Sequence, residues 1–470
     1  MSCDRINIRN QRQVLERIII KGNLILDTPT CFGSGDNDSD VDIEILRDSI
    51  EDKALLMGSS IAGALRNDLR EHNNGYGVTD DSILFGGQRS DEDGEQSPLV
   101  VNDALSNDVI SLELRDGVKI NNITKTADDG AKYDLEFLES GTKFNLYFEL
   151  LIDKESNKEQ LIRELIVSLQ GLEAGKIRLG IKKNRGFGCC HVEKWQVWQF
   201  DLENHKQRIE WLIFPHWETG VSNNYQTHNN IADALGVTVV AEDKRQHLTI
   251  QATFTLASPL LIRSGQASTD KAPDVVHLKS RRNGEAKPIL SGTSLTGVLR
   301  HRAERIVNTI QNNTNIINEI FGFVDENTKK ANASRLIVDE VEINDTTDLV
   351  QNRIAIDRFT GGALDGALFN EQPIFGNNKT KLTITLQLRQ PKEPEIGLLL
   401  LLLKDLWTGD LTVGGTSSIG RGRLKGENAT IQYGEKNWKI VQNSNNKDLT
   451  IDNPDELEQF VAALHQEVTP

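Results

Sequence analysis

Apolar and polar residues alternate along two similar stretches of this chain, residues 15–26 and 248–256. A period of two predicts β-strands with one buried face. Further strands are predicted over 109–114, 144–152, 336–343 and 381–388. Apolar residues three and four positions apart predict helices that begin at Gly58-Ser59-Ser60 and Gly292-Thr293-Ser294, with a serine as N-cap. Two more helices are expected over 158–172 and 394–407, and a short one over 454–466.

These elements follow the same order in each half of the chain. Four strands interleaved with two helices predict an α+β fold of two tandem ferredoxin-like sheets, the fold of RNA-recognition motifs. Excursions over about 115–140 and 350–376 separate the middle strands, and we expect them to project from the sheets. The apolar run 396–403 is too short to span a membrane and predicts a buried helix.

An internal repeat supports this division. Residues 57–66 read MGSSIAGALR, and residues 291–300 read SGTSLTGVLR. Four other landmarks recur in the same order at nearly the same offset: 26–35 with 256–265, 85–86 with 321–322, 120–127 with 356–363, and 186–188 with 420–422. Repeated landmarks indicate a duplicated unit. We therefore predict a first module over 1–200, a connector over 201–245, a second module over 246–435 and an acidic extension over 436–470.

Charge and cysteine content narrow the classes of protein. The 470 residues carry 53 Lys+Arg and 69 Asp+Glu, a net charge of −16, which argues against a simple nucleic-acid coat. Net charge does not exclude RNA binding, because local basic patches decide it. The 4 cysteines lack zinc-site spacing, and the chain begins with a polar stretch. We expect a cytoplasmic protein.

Two glycine-rich loops are candidate RNA contacts. Residues 176–185 hold five basic side chains, and residues 413–425 have fewer charges but more Gly and Ser. Glycines let a backbone approach a phosphate, and basic side chains supply charge. A solvated turn is the alternative interpretation. A second basic zone comprises Lys279, Arg281, Arg282, Lys287, Arg300, Arg302 and Arg305.

Other candidates for chemistry are weaker. The acidic stretch 36–42 does not match a calcium loop, because Val41 and Arg47 stand where Gly and Glu are needed. The serines of the GSS and GTS motifs lack the context of a nucleophile and fit helix caps or phosphate ligands better. His191 follows the first basic loop and could serve acid–base chemistry, although a structural role is the more common one.

The whole series of motifs resembles the RAMP superfamily, in particular the backbone subunits of type III CRISPR complexes. The matching pieces are GSSIAGALR, LFGG, RDGVKINNITKTA and KNRGFG, then GTSLTGVLR, IFGF, NRIAIDRFTGGA and GRGR. Two such units in one chain look like the fused backbone proteins of subtype III-D. The resemblance implies that each module holds guide RNA and that each excursion is a thumb hairpin, which flips nucleotides out of the guide–target duplex.

The resemblance also implies a catalytic aspartate in the loop before each GSS-type helix, acting with a divalent metal, Mg²⁺ by expectation. Asp42 has the family spacing, and Asp48 matches a second family aspartate. In the second module the nearest equivalent is Asp274, whose match needs a two-residue insertion, and Asp270 is a competitor. RNA carries its own nucleophile, the 2′-OH, so one carboxylate per site with the metal would suffice.

The expected partners are guide RNA (crRNA), target RNA and other CRISPR effector subunits, namely RAMP backbone, large cyclase- or polymerase-type and small subunits. The expected RNA contacts are Ser59, Ser60, Arg66, Lys125, Lys182, Lys183, Arg185, Thr293, Ser294, Arg300, Arg358, Arg421 and Arg423. Three alternatives stay open: a guide-RNA scaffold that does not cut, a guide-processing endoribonuclease that uses His191, and an acidic α+β protein without an RNA role.

Overall fold

The computed structural model describes residues 13–35, 42–77, 82–87, 96–121, 123–124, 126–239, 241–264, 273–282, 284–310, 314–325, 328, 330–443 and 448–466. Two separate hydrophobic cores lie in these residues, one formed by side chains between residues 18 and 235 and the other by side chains between residues 248 and 464. We refer to the elements around the first core as module 1 and to those around the second core as module 2.

Module 1 is built on a four-stranded antiparallel sheet. Its elements are β1 (Val14–Leu26), β2 (Leu55–Leu56), α1 (Gly58–Asn74), β3 (Leu99–Val101), β4 (Ala104–Leu105), β5 (Leu112–Ile120), β6 (Ala127–Leu138), β7 (Lys143–Asp153), α2 (Lys158–Glu173) and β8 (Cys190–Asp201). The sheet order is β3-β7-β1-β8, which is the ferredoxin-like order. Alternate residues of β1, such as Ile18 and Ile20, point into the core against α1 and α2.

The connector between the modules covers the outer face of this sheet. It contains α3 (His205–Leu212) and α4 (Ile231–Leu235). Phe214 and Trp211 pack against Ile19, Tyr147 and Phe200 in a small separate cluster. An outer face with large apolar residues must be shielded from water, and the connector does this for module 1.

Module 2 repeats the arrangement. Its elements are β9 (His247–Leu256), β10 (Arg263–Ser264), β11 (Val275–His277), β12 (Lys279–Arg282), β13 (Glu285–Leu290), α5 (Gly292–Thr309), α6 (Asn315–Phe321), β14 (Phe323–Val324), β15 (Ala331–Asn332), β16 (Leu336–Val338), β17 (Val341–Glu342), β18 (Thr347–Asp348), β19 (Gln351–Ile356), β20 (Ala363–Gln372), β21 (Ile374–Phe375), β22 (Leu382–Arg389), α7 (Glu393–Thr408) and β23 (Leu424–Tyr433). The order β16-β22-β9-β23 matches that of module 1.

The C-terminal residues extend module 2. Strands β24 (Lys436–Gln442) and β25 (Leu449–Ile451) continue its sheet beyond β23. Helix α8 (Pro454–Gln466) packs on α7 so closely that a Cβ on Gly397 would clash with the backbone of Phe460. The predicted short helix over 454–466 is confirmed, and it covers the leucine-rich helix α7.

A β-hairpin projects from each module where the sequence predicts an excursion. Strands β5 and β6 form hairpin 1, and β19 and β20 form hairpin 2. The predicted sheet strand over 109–114 is wrong: β3 (Leu99–Val101) pairs with β7, and residues 112–114 begin hairpin 1. The hairpin's alternating pattern resembles that of a sheet strand, so periodicity alone cannot separate them.

The predicted serine caps are only partly right. Helix α1 starts after Met57, and the backbone N–H of Gly58 donates to Asp103 Oδ1 at 2.6 Å, so Ser59 and Ser60 lie within the first turn. In α5 the cap is Ser291, which accepts from the backbone N–H of Ser294 at 3.1 Å. The carboxylate of Asp103, in the link between β3 and β4, therefore replaces the serine cap in module 1.

Candidate nucleic-acid interface

A groove of about 800 Å³ runs between the two modules. Hairpin 1 and the loop 182–187 form one wall, and helix α5, the segment 262–264 and the loop 410–417 form the other. The basic side chains that line it are Arg115, Lys119, Lys182, Arg185, Arg263, Lys279, Arg300, Arg302 and Arg305. Neither module alone could form this site, because each wall comes from a different copy of the repeat.

The glycine-rich loop of module 1 is held in place by module 2. Lys182 and Gly186 have left-handed φ values of 52° and 85°, which fold the loop into a tight turn. A Cβ on Gly186 would clash with the backbone of Glu340, and one on Gly292 would clash with the carbonyl of Arg185. The turn therefore packs directly on the start of α5, which places Lys182 and Arg185 in the groove.

Charge pairs fix this contact between the modules. Arg178 pairs with Asp339 at 2.7 Å, and Asn184 Nδ2 donates to the carbonyl of Ser334 at 2.7 Å. The side chain of Glu340 is fully buried and pairs with Arg115 at 3.1 Å and also with Arg282. Because hairpin 1 carries Arg115, this cluster ties the base of the hairpin to module 2. Sequence reasoning missed the cluster, since its members are far apart in the chain.

Several groove cations are available to an anion. Lys182 Nζ donates to the Tyr133 hydroxyl at 2.7 Å and lies 3.9 Å from the ring centroid. Burial, and then the neighbouring Arg300, lower the pKa of the Arg185 guanidinium. No carboxylate of the described residues forms an ion pair with Lys182, Arg185, Arg263 or Arg305. A phosphate would relieve the repulsion between such cations.

Some of the residues predicted to contact RNA also make contacts within the protein. Arg66 donates to the carbonyl of Gly86 at 3.0 Å, and Arg300 donates to the equivalent Gly322 at 2.9 Å. Arg421 is buried, where it pairs with Glu371 at 2.9 Å and donates to Gln351 at 2.6 Å. The Arg421 guanidinium therefore makes its contacts at the buried base of hairpin 2. The Arg300 side chain still lines the groove.

The remaining predicted contacts are dispersed. Thr293 and Ser294 line the groove wall. Ser59, Ser60, Lys183, Arg358 and Arg423 are exposed outside it, with Arg358 at the tip of hairpin 2. Lys125 lies outside the described residues. Arg263 and Tyr133 are groove residues that the sequence did not single out; the repeat landmark that contains Arg263 was the only signal available.

Asp42 and Asp274 occupy equivalent places despite their different spacing. Asp42 Oδ2 accepts from the backbone N–H of Asp134 at 2.8 Å, and Asp274 Oδ2 accepts from that of Asn370 at 2.7 Å. Asp134 and Asn370 are themselves equivalent positions, 236 residues apart, on the second strand of each hairpin. Both carboxylates are exposed beside the base of a hairpin, not inside the groove.

Among the described residues, the carboxylates around these positions do not form a metal site by themselves. Within the described part of the chain, no three His, Cys, Asp or Glu side chains are grouped to hold a metal ion. Asp48 Oδ2 caps its own loop by accepting from the backbone N–H of Glu51 at 2.7 Å, and Asp270 lies outside the described residues. A Mg²⁺ ion at Asp42 or Asp274 would need further oxygen ligands, which RNA phosphates could supply.

The hairpin tips present equivalent apolar side chains to solvent. Ile123 in hairpin 1 is 92% exposed, and Phe359 in hairpin 2 is 99% exposed. Asn121 Oδ1 accepts from the Ile123 N–H at 2.8 Å, and Asp357 Oδ1 accepts from the Phe359 N–H at 2.9 Å. The same turn thus holds an apolar side chain at each tip. Sequence reasoning did not select these residues, although the aligned landmarks contain both.

His191 lies on the other side of the module contact. Its Nδ1 is 2.8 Å from Asp27 Oδ1, beside a second cavity of about 570 Å³ that Lys143 and Arg282 also line. A histidine oriented in this way has Nε2 free for a proton transfer, but it is remote from the basic groove. It is not among the residues that line that groove.

Comparison with known proteins agrees with the duplicated geometry. A model of the RAMP superfamily matches residues 23–191 and 253–425, one match for each module and together more than half of the chain. No curated protein matches the sequence. None of the helices in the described residues is long and apolar enough to cross a membrane.

Proposed function

Because this chain belongs to the RAMP superfamily and carries two tandem copies of its fold, we propose that it is an RNA-holding backbone subunit of a type III CRISPR complex, of the fused III-D kind. Membership of the family supports a CRISPR-associated role in RNA binding. The observation that carries the proposal is the basic groove between hairpin 1 and α5, in which Lys182, Arg185, Arg263 and Arg305 have no described carboxylate partner. A guide RNA backbone fits such a groove, since its phosphates supply the missing negative charge.

The two hairpins are proposed to work as thumbs. Each tip exposes one apolar side chain, Ile123 or Phe359, on a turn held by an Asn or Asp side chain. An apolar wedge between base steps of a duplex unstacks them and displaces a nucleotide. Two wedges on modules that are joined by the Arg115–Glu340 and Arg178–Asp339 pairs would displace nucleotides at a fixed interval.

Asp42 and Asp274 are proposed to cut the target strand beside each displaced nucleotide. A flipped nucleotide can bring its 2′-OH in line with the adjacent phosphate, and a carboxylate next to it can accept the 2′-OH proton. The backbone N–H on Oδ2 fixes the orientation of each carboxylate and leaves Oδ1 available. A divalent metal held jointly by this oxygen and by RNA phosphates would stabilise the charge that develops on the phosphate.

Cleavage of a matched target tests the proposal. The guide-bound complex is isolated through this chain, and a matched target RNA is added with Mg²⁺. Two cuts are expected; Asp42→Ala should remove one, and Asp274→Ala the other. His191→Ala should change neither cut, and EDTA should abolish both.

Other outcomes select the alternatives. Tight binding without any cut by the wild-type complex would favour a non-catalytic scaffold. Loss of guide maturation in His191→Ala would favour guide processing. Unchanged cutting by the Asp42→Ala, Asp274→Ala double variant would refute the assignment of both aspartates.

A further inference from the structure

The face of hairpin 1 beside Asp42 carries opposite charges at adjacent positions. Asp116 lies directly opposite Asp134 across the two strands. Lys132 Nζ lies 3.3 Å from a carboxylate oxygen of Asp134 and 3.8 Å from one of Asp116. Burial, and then the contact with Asp134, raise the pKa of the Asp116 carboxyl. Like charges directly opposite each other destabilise a hairpin, so the Lys132 ammonium compensates a pair of carboxylates that would otherwise repel.

Backbone hydrogen bonds do not join the two strands at this pair. The N–H of Asp134 donates to Asp42 Oδ2 at 2.8 Å, and the Asp134 carbonyl accepts from the Asp42 N–H at 3.2 Å. Asp116 and Asp134 thus form a non-hydrogen-bonded pair, the kind in which opposite side chains lie closest. Side chains therefore decide how closely the strands approach here, at the backbone group that orients the Asp42 carboxylate.

Hairpin 2 has the same cross-strand pair without its charges. At the repeat offset of 236 residues, the two aspartates correspond to Asn352 and Asn370, which also lie directly opposite each other. Lys132 corresponds to Leu368. An amide has nearly the shape of a carboxylate but carries no charge, so hairpin 2 keeps the size of these side chains and has no repulsion to compensate. The cation occurs in the copy that has the carboxylates and is replaced in the copy that has the amides.

We propose that Lys132 is a positioning residue for the cut assigned to Asp42. Its ammonium group neutralises the Asp116–Asp134 pair, which keeps the strands of hairpin 1 together and the Asp134 N–H against Asp42. The cut assigned to Asp274 needs no such cation. The kinetic consequence rests on the proposed cleavage, whereas the contact itself does not depend on RNA. Because 64% of the Lys132 side chain is exposed, solvent weakens its ion pairs, and the effect is a slower cut and not a lost one.

Replacement of Lys132 by its counterpart in hairpin 2 tests the proposal in the guide-bound complex. Lys132→Leu should slow the cut assigned to Asp42 about threefold to fivefold, the effect of like charges directly opposite on a hairpin. The other cut and the affinity for target RNA should not change. Asp116→Asn, added to this variant, should restore the rate, because a single carboxylate has no repulsion to compensate.

Two results would overturn the positioning role. One is an unchanged rate of this cut in Lys132→Leu. The other is a loss that Asp116→Asn does not restore, or a weaker affinity for target RNA at an unchanged rate of cleavage of bound target. Either form of the second result would identify Lys132 as a direct contact to RNA.

Hydrogen exchange of the Asp134 amide gives a readout in the full chain without RNA. Lys132→Leu should speed this exchange about threefold to fivefold, and the variant that also carries Asp116→Asn should exchange like the wild type. The Asn370 amide in hairpin 2 is the internal control and should keep its rate. Equal exchange of the Asp134 amide in wild type and Lys132→Leu would refute the proposal. If the wild-type complex makes no cut, the cleavage proposal fails, and these exchange rates still decide the role of Lys132.

The reciprocal change transfers the charged pair to hairpin 2. The double variant Asn352→Asp, Asn370→Asp places two carboxylates opposite each other without a cation. Adding Leu368→Lys to it should slow the exchange of the amide at position 370 about threefold to fivefold. An unchanged exchange rate on adding this lysine would contradict charge compensation as the reason for the cation.

Discussion

Asp274 accepts a hydrogen bond from the backbone N–H of Asn370 through its Oδ2, across 2.7 Å. The same bond joins Asp42 to Asp134 in module 1 at 2.8 Å. Val275 and Ile43, the next residues, also form equivalent parallel contacts with Glu371 and Leu135. The two-residue difference in sequence spacing before the GSS-type helices is therefore absorbed elsewhere in the loop, and both carboxylates keep the same relation to a hairpin.

Replacing Asp42 or Asp274 by the longer glutamate should abolish the cleavage assigned to that residue, while RNA binding is kept. In Asp274→Glu the added methylene moves the charge away from the position fixed by Asn370, and a misplacement of about 1 Å reduces the rate about 100-fold. Target cleavage mapped on a sequencing gel should lose one product, with the affinity for guide RNA unchanged. Asp42→Glu is the matched variant and should remove the other product. Loss of both products in either variant would show that the two sites are not independent.

Truncation of the hairpin tips should separate binding from cleavage. Phe359 is 99% exposed, so Phe359→Ala leaves folding unchanged while it removes the apolar wedge. We expect the cut associated with hairpin 2 to slow at least about fivefold, since stacking of a base on an aromatic ring contributes about 1–3 kcal/mol. Ile123→Ala should act in the same way on the other cut. Fluorescence of 2-aminopurine in the target, which rises when a base unstacks, would report the displaced nucleotide directly, and an unchanged signal would contradict the wedge role.

Removal of groove cations should weaken RNA binding uniformly across sequences. Arg185→Ala and Arg305→Ala each delete one guanidinium from the groove wall. The logarithm of the affinity falls linearly with the logarithm of the salt concentration. Each variant should make this negative slope shallower by about 0.7 for single-stranded RNA. Fluorescence anisotropy at several salt concentrations measures this slope. Arg208 is exposed on the connector helix α3, away from the groove, and Arg208→Ala should leave both the affinity and the slope unchanged.

Stability should fall below neutral pH because of His277. Burial lowers the pKa of His277 from 6.5 to about 4, and its Nδ1 accepts from the Ile262 N–H at 3.2 Å, which requires a neutral ring. The unfolded chain binds this proton more readily, so the free energy of unfolding decreases as pH falls from 6.5 to 4, by at most about 3 kcal/mol. Urea denaturation at several pH values would measure the decrease. His277→Gln should flatten the dependence, and equal slopes in both proteins would contradict this role.

The repeat and the ferredoxin-like order of elements were readable from the sequence because both depend on local information. Periodic apolar residues fixed most of the strands and helices, and α8 was predicted with its observed bounds. The prediction over 109–114 was wrong because strands in a hairpin and in a sheet have the same period, and only pairing partners distinguish them. The candidate aspartates came from a family resemblance, and their roles stay predictions.

What the sequence by itself determined is the pair of modules, their landmarks and the types of residue available for RNA. Only the tertiary structure decided which arginines face the groove and which are buried against a carboxylate. Arg421 and Arg185 lie next to similar glycines in the chain, yet the first is buried against Glu371 and the second faces the groove. Only the tertiary structure also shows that Glu340 pairs with Arg115 of module 1 and with Arg282 of module 2. The physical reason is that burial and charge pairing depend on neighbours that are distant in sequence, whereas helix and strand periodicity depends on neighbours that are adjacent.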